Sequence, residues 1–312
     1  MALLDSRKVV VAAKYGSTVA GADAIAISNE EVRLAPEVAT GSFKCLNGKI
    51  GNKTVWVNTD DTTVSGAVVE GYLTGNDAVG TALDTLPDWS ELYEICGLDE
   101  TVSASVSVTY EPSQDQPSDS SEVAVWRDGS KRVVTGVMGS LTITGKVGEP
   151  LKQSVALSGF TTLEGSAEAN PTAVCTDEAL LLILKSTDTM TVTSTTYIGQ
   201  DFTLTQGNDI QKLYAISTKD FDLVDFESSL EITYLKENED IYSDFADGTE
   251  HSVEIQAGTV DGKAFNLTCG QAVVESITES SINMKEAVTV KFNLKGDAEG
   301  DDQYAMLWGT MP

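Results

Sequence analysis

The sequence predicts a mainly β protein built as two tandem antiparallel β-sandwich or barrel domains, with one short α-helix in the first. Three observations carry that expectation. Short apolar alternations recur at roughly ten-residue intervals between turn-forming residues, the pattern of half-buried strands. Asp-Gly and Asn-Gly pairs punctuate them, as tight hairpins require. Only one stretch combines helical periodicity with start and stop residues. At 312 residues with 41% hydrophobic content, the chain buries a sizeable core and is long enough for two domains.

The first fifty residues hold strand candidates at 8–13 and 24–28 and a third around Val32. From residue 41 to 70, turns at Asn47-Gly48 and Gly51-Asn52 precede alternation at 54–58, the acids Asp60 and Asp61, and a strand over 64–73, together a long hairpin or arm. The helix is expected over 87–96. Pro87 suits its first position, Asp88 and Glu91 complement the helix dipole, and Gly97 suits a left-handed stop. Trp89, Leu92, Ile95 and Cys96 then form an apolar stripe that packs on a sheet.

Strands follow around 102–110, and the polar stretch 111–122 reads as an exposed loop. Asp128-Gly129 sets a hairpin over 125–134, and residues 139–145 pair with 151–159 across Gly148. The first domain therefore spans 1–160. Residues 161–173 turn small and polar, as a linker does, and the second domain spans 174–312. It opens on the unbroken apolar run 179–184, which fits a strand covered on both faces or a short helix. Alternation continues at 190–197 and 202–205.

The two halves resemble each other. VEGYLTGND, from Val69, looks like LEITYLKENED, from Leu230, while Asp128-Gly129 and Asp261-Gly262 lead into strand pairs ending near Leu157 and Leu294. On sequence the second half lacks the helix. The likeness suggests a duplicated domain.

Little in the chain supports chemistry. His251 is the single histidine, so any histidine-based triad or metal cluster would have to share it. Cys45, Cys96, Cys175 and Cys269 stand far apart without a CxxC pair and read as free, buried thiols. The acids Asp297, Glu299, Asp301 and Asp302 fail the calcium-loop template, because Asp302 stands where glycine belongs and Trp308 where the closing glutamate belongs. No phosphate-binding loop is present, and neither a metal, a cofactor nor an enzymatic activity is expected. With 48 acidic and 20 basic residues the formal charge is -28, which repels nucleic acid. The amino terminus lacks a secretory leader and no apolar run is long enough for a membrane span, so a cytoplasmic product without membrane partners is expected.

One ordered set of motifs runs through the first half. It comprises Pro87, Trp89, Cys96, Gly97 and Leu98 in LPDWSELYEICGL, Tyr110 and Pro112 in VTYEP, Trp126, Asp128 and Gly129 in WRDG, then Gly136, Gly139, Glu149 and Pro150. In order and spacing the set resembles the major tail tube protein of long-tailed, siphovirus-like bacteriophages. That resemblance implies a virion structural protein, made in the bacterial host cytoplasm. Its sheets would join between subunits into rings that stack into a tube and conduct DNA without binding it.

Two related domains per chain would give trimeric rings with pseudo-sixfold symmetry, and single-domain behaviour would give hexamers. The family also implies contacts with tape measure, tail terminator and tail tip proteins. Acids on inner strands, such as Glu70 and Glu231, would face the lumen or simply face solvent. A tail completion or decoration protein, or a non-catalytic β-sandwich adhesin, shares the strand richness and acidity.

Overall fold

A computed structural model describes residues 9–28, 32, 34–44, 53–76, 83–175, 177, 180–237, 240–296 and 303–309. Along the first half run β1 (Val9–Lys14), β2 (Ala24–Ile25), β3 (Glu37–Lys44), the long β4 (Lys53–Tyr72) and helix α1 (Ser90–Ile95). They are followed by β5 (Leu98–Ser103), β6 (Ser107–Pro112), β7 (Glu122–Arg127), β8 (Ser130–Lys146), β9 (Lys152–Thr161) and β10 (Ser166–Ala167). The second half holds β11 (Thr189–Val192), β12 (Thr195–Thr196), β13 (Gly199–Thr205), β14 (Asn208–Ala215), β15 (Thr218–Phe226) and β16 (Ser229–Leu235). Helix α2 (Asp240–Asp247) then precedes β17 (Glu250–Ala257), β18 (Phe265–Ile282), β19 (Lys285–Lys295) and β20 (Ala305–Gly309). The fold is mainly β, and all strands but β14 and β15 belong to one large interconnected sheet.

Both halves pair their strands in one order. The first runs β2, β1, β7, β8, β9, β4 and the second β12, β11, β17, β18, β19, β16, antiparallel throughout. The register agrees too. Glu70 pairs with Ser154 and Glu231 with Lys291, and these partners each lie three residues before the aligned Leu157 and Leu294. A one-residue slip would reverse every side chain between core and solvent, so this agreement is a stringent correspondence. In each half the last short strand, β10 or β20, folds back onto the start of β8 or β18.

The halves are hydrogen-bonded to each other. β13 pairs with residues 142–146 of β8, and β20 bridges β18 to β6. A single apolar cluster runs through both, from Val11 and Trp89 to Phe292 and Trp308. Residues 161–173 are fastened along the first half: β10 pairs with β8, and the Trp126 indole donates to Glu168 at 3.0 Å.

Several sequence expectations need correction. The helix starts later than 87, because the Ser90 N–H closes a turn on the Pro87 carbonyl and Trp89 sits at the N-cap. It stops where expected, at Gly97 with φ of 77°. Its stripe of Trp89, Leu92, Ile95 and Cys96 is fully buried. The second half does have a helix. α2 escapes sequence reading because only Ile241 of its eight residues is buried, leaving no apolar stripe to recognise.

The apolar run is extended over 180–184, where Leu182 donates to the Leu73 carbonyl and accepts from the Leu151 N–H, yet Ile183 is 37% exposed, so it is not covered on both faces; Ala179 lies outside the described residues. Residues 190–197 form two strands about a left-handed Thr193-Ser194 turn, not one. Val32 is buried outside any strand. Cys96 and Cys269 are buried free thiols, but Cys175 is exposed, and Cys45 lies outside the described residues.

The loop over 111–122 is only partly exposed. Pro112, Ser113, Pro117 and Ser121 are buried, and the Gln116 amide bonds both the N–H and the carbonyl of Leu223 in β15.

Candidate assembly surface

Seven strands lie side by side across the two halves in the order β4, β9, β8, β13, β16, β19, β18. Antiparallel partners share a face, so alternate residues sort into a buried and an exposed row. One buried row runs Ile143, Leu204, Leu230, Phe292, Val274, all at most 5% exposed. The outward rows are rich in hydroxyls. One reads Glu70, Ser154, Thr142, Thr205, Ser229, Asn293, and the next Lys152, Thr144, Thr203, Glu231, Lys291, Ser276.

Glu70 and Glu231 are therefore on one exposed face, at corresponding positions of the two halves. Their neighbours on that face are short, neutral and uncharged except for scattered lysines. Lys291 is paired with Glu275 at 2.7 Å and Lys146 with Glu149 at 3.2 Å. Such a face gives a polyanion few free cations to hold.

Two hairpin arms extend the halves, the second laying Phe221 and Leu223 against Met138 and Phe160 of the first half. β3 pairs with the outer part of β4, and β14 pairs with β15. The arms meet: Lys212 reaches Asp61 at 2.7 Å, Lys219 reaches Asp60 at 2.9 Å, and Asn58 donates to the Tyr214 hydroxyl at 3.0 Å. The Lys219 ammonium holds the Asp60 carboxyl below its usual range. The Lys219–Asp60 pair is solvent-exposed and screened, so it orients the arms more than it locks them, whereas Asp61 is buried beneath Lys212. Both arms show apolar surface, with Trp56 50% and Ile216 98% exposed. Lys44 and Lys53, which with Lys49 form a small basic spacing in the sequence, are register partners in the first arm, and Lys49 lies outside the described residues.

The motif residues Pro87, Trp89, Cys96, Leu98, Tyr110 and Pro112 are all buried, with Gly97 making the turn between helix and β5. The Trp89 indole donates to the Ala26 carbonyl at 3.0 Å, and the Tyr110 hydroxyl to Glu100 at 2.7 Å. Tyr110 also sits edge-on to Tyr93 and Trp308, so the first half's motif packs against the second half's last strand. Burial pushes both the Cys96 and Cys269 thiols up, the latter to about 12, which leaves them as unreactive thiols.

Two side chains unforeseen in the sequence fasten the halves together. Gln206 donates to the Cys96 carbonyl at 2.8 Å and accepts from the Leu141 N–H at 3.2 Å, while Asn208 donates to Cys96 and Gly139 carbonyls at 2.7 and 2.8 Å. Their spacing carries no motif; the need arises from the orphan carbonyl at the end of α1.

His251 is buried, with Nδ1 3.0 Å from the Thr193 hydroxyl and Nε2 3.7 Å from Asp244. The Thr193 contact ties a turn to β17, while Nε2 makes no hydrogen bond to a described residue. Among the described residues no group of three or more His, Cys, Asp or Glu is placed to hold a metal, and the acids at 297–302 lie outside them. No described helix is long and apolar enough to cross a membrane. A scan against protein-family models finds no match for this chain, and a search of curated proteins finds none either.

Proposed function

We propose that this chain is the structural subunit of a phage tail tube, a virion protein whose two duplicated domains of sandwich or barrel type assemble into stacked rings around a DNA conduit. One observation carries the reading: two halves of the same strand order and register are already joined edge to edge into a seven-stranded sheet with a hydroxyl-rich open face. A chain that pairs its own halves in this way holds the contact that a ring repeats. The motif set from Pro87 to Pro150 supplies the resemblance that names the assembly.

In this reading the open face lines the bore, with Glu70 and Glu231 repelling passing phosphates. Three chains supply six domains per ring, and tape measure, terminator and tip proteins occupy the lumen and the two ends. The chain performs no catalysis and needs no cofactor. Negative-stain electron microscopy of concentrated purified protein, with light scattering, tests it. Hollow tubes of stacked three-chain rings are expected. Closed rings that never stack would favour a tail completion or decoration protein, and a chain that stays monomeric even with a tail-tip initiator would favour an adhesin.

A further inference from the structure

The correspondence between the halves exposes an unmatched edge. In the first half, β8 has β9 on one side, and on the other its residues 142–146 carry β13 from the second half. Matching β9 to β19 residue by residue places 142–146 (TITGK) on 276–280 (SITES) of β18, with Glu275 as one extra residue at a break in register. That stretch pairs with β19 on one side. On its other side no described strand is hydrogen-bonded to it, and Ser276, Thr278 and Ser280 are exposed. A long strand with an open edge and no proline is a template for strand addition.

The strand that would fill this edge has a counterpart as well. β13 follows β12 and runs along β16, with Thr203 opposite Glu231. In the first half, residues 26–28 follow β2 and meet β4 through one backbone bond, from the Ser28 N–H to the Glu70 carbonyl at 2.7 Å. Ser28 thus stands where Thr203 stands, and Ile27 where Phe202 stands. Ile27 is partly exposed, and its backbone makes no bond to any described residue.

We propose that residues 276–280 of β18 bind residues 26–28 of a second copy of this chain, with Ser28 opposite Thr278, Ile27 opposite Glu279 and Ala26 opposite Ser280. The register is copied from the internal contact, in which Thr203, Phe202 and Asp201 face Thr144, Gly145 and Lys146. Glu279 leaves room for Ile27 because its carboxylate is drawn onto Lys236 and the Tyr242 hydroxyl. The contact is head to tail, so each chain offers one filled role at either end and the sheet continues from β18 of one copy into β4 of the next. This rests on the assembly reading above and locates its lateral contact.

Cysteine crosslinking tests it in the full chain, with Cys45 and Cys175 replaced by serine to remove background. Because the Ser28 N–H turns toward β4, Ser28 and Thr278 form a close, non-hydrogen-bonded pair, about 4.5 Å between Cα atoms, within disulfide reach. Under mild oxidation, an equal mixture of S28C and T278C chains is expected to give a covalent dimer that neither variant gives alone. A chain carrying both cysteines should give a ladder that ends at the ring size. The opposite-face pair S28C and E279C should give at least tenfold less.

Rings or tubes that form without the 28–278 crosslink would overturn this contact and leave the tube reading standing. T278C chains that crosslink to each other would overturn it in favour of symmetric edge pairing. Chains that show no association by light scattering would overturn both.

Discussion

Glu94 shows how a single side chain of this acidic protein couples to pH. It lies on α1, where burial first, and then the neighbouring carboxylates Glu100 and Glu91, push its pKa up from 4.5 to about 7. The folded state therefore holds this proton more tightly than the unfolded chain. Below the ordinary carboxylate value both states are protonated and the group has no effect; as pH rises from there to about 7 the unfolded chain ionises first, so stability falls, and it levels off above. The shift corresponds to roughly 3 kcal/mol in full, and to about 1 kcal/mol after allowing for solvent around a half-buried group. Glu94→Gln is expected to raise the melting temperature by about 1–2 °C at pH 8 and to leave it unchanged at pH 4. Equal gains at both pH values would refute the assignment. The sequence shows Glu94 only as one acid among 48, since its environment is set by β5, which carries Glu100 and Asp99, and by β1, which carries Lys14.

At the scale of elements, what was legible is what local chemistry determines. The Asp128-Gly129 hairpin, the stop at Gly97 and the buried stripe of α1 each depend on a few adjacent residues and stand as expected. What was not legible has two causes: α2 buries only Ile241 and so shows no apolar stripe, and the extended leucine run takes its bonds, and its one-sided cover, from residues remote in sequence. The run at 180–184 is held between Leu73 and Leu151, and α2 rests on β18, where Tyr242 reaches Glu279.

The end of α1 also depends on remote residues, because its Cys96 carbonyl is satisfied by Gln206 and Asn208 from the other half. Gln206 is 2% exposed. Gln206→Ala would strip the Leu141 N–H of its side-chain acceptor and Cys96 of one of two donors, and should cost about 2 kcal/mol in urea unfolding. A loss below about 0.5 kcal/mol would show that water replaces the amide without penalty.

At the scale of the whole molecule, the two halves of matching strand order are not independent. β8 and β6 of the first half are each covered by a strand of the second, and one apolar cluster spans both. The aromatic group formed by Tyr93, Tyr110, Phe265 and Trp308 likewise draws on both halves. Composition changes character near residue 160, yet β10 beyond that point still pairs with β8, because composition does not report which edges the chain closes.

Two consequences follow for stability. The full chain should unfold in a single cooperative transition, since neither half keeps its core without the other. A fragment of residues 1–173, freed of β13 and β20, would expose the edges of β8 and β6 together with the apolar faces of Tyr110 and Tyr93. Such edges recruit other strands. Differential scanning calorimetry of the chain should therefore show one peak, and size-exclusion chromatography of the fragment should show oligomers or aggregate. Two resolved peaks, with a monomeric fragment that melts like the first of them, would instead establish two autonomous domains. The β8–β13 pairing would then be a docked contact like the one proposed between copies, formed within the chain because tethering raises the local concentration of the partner strand.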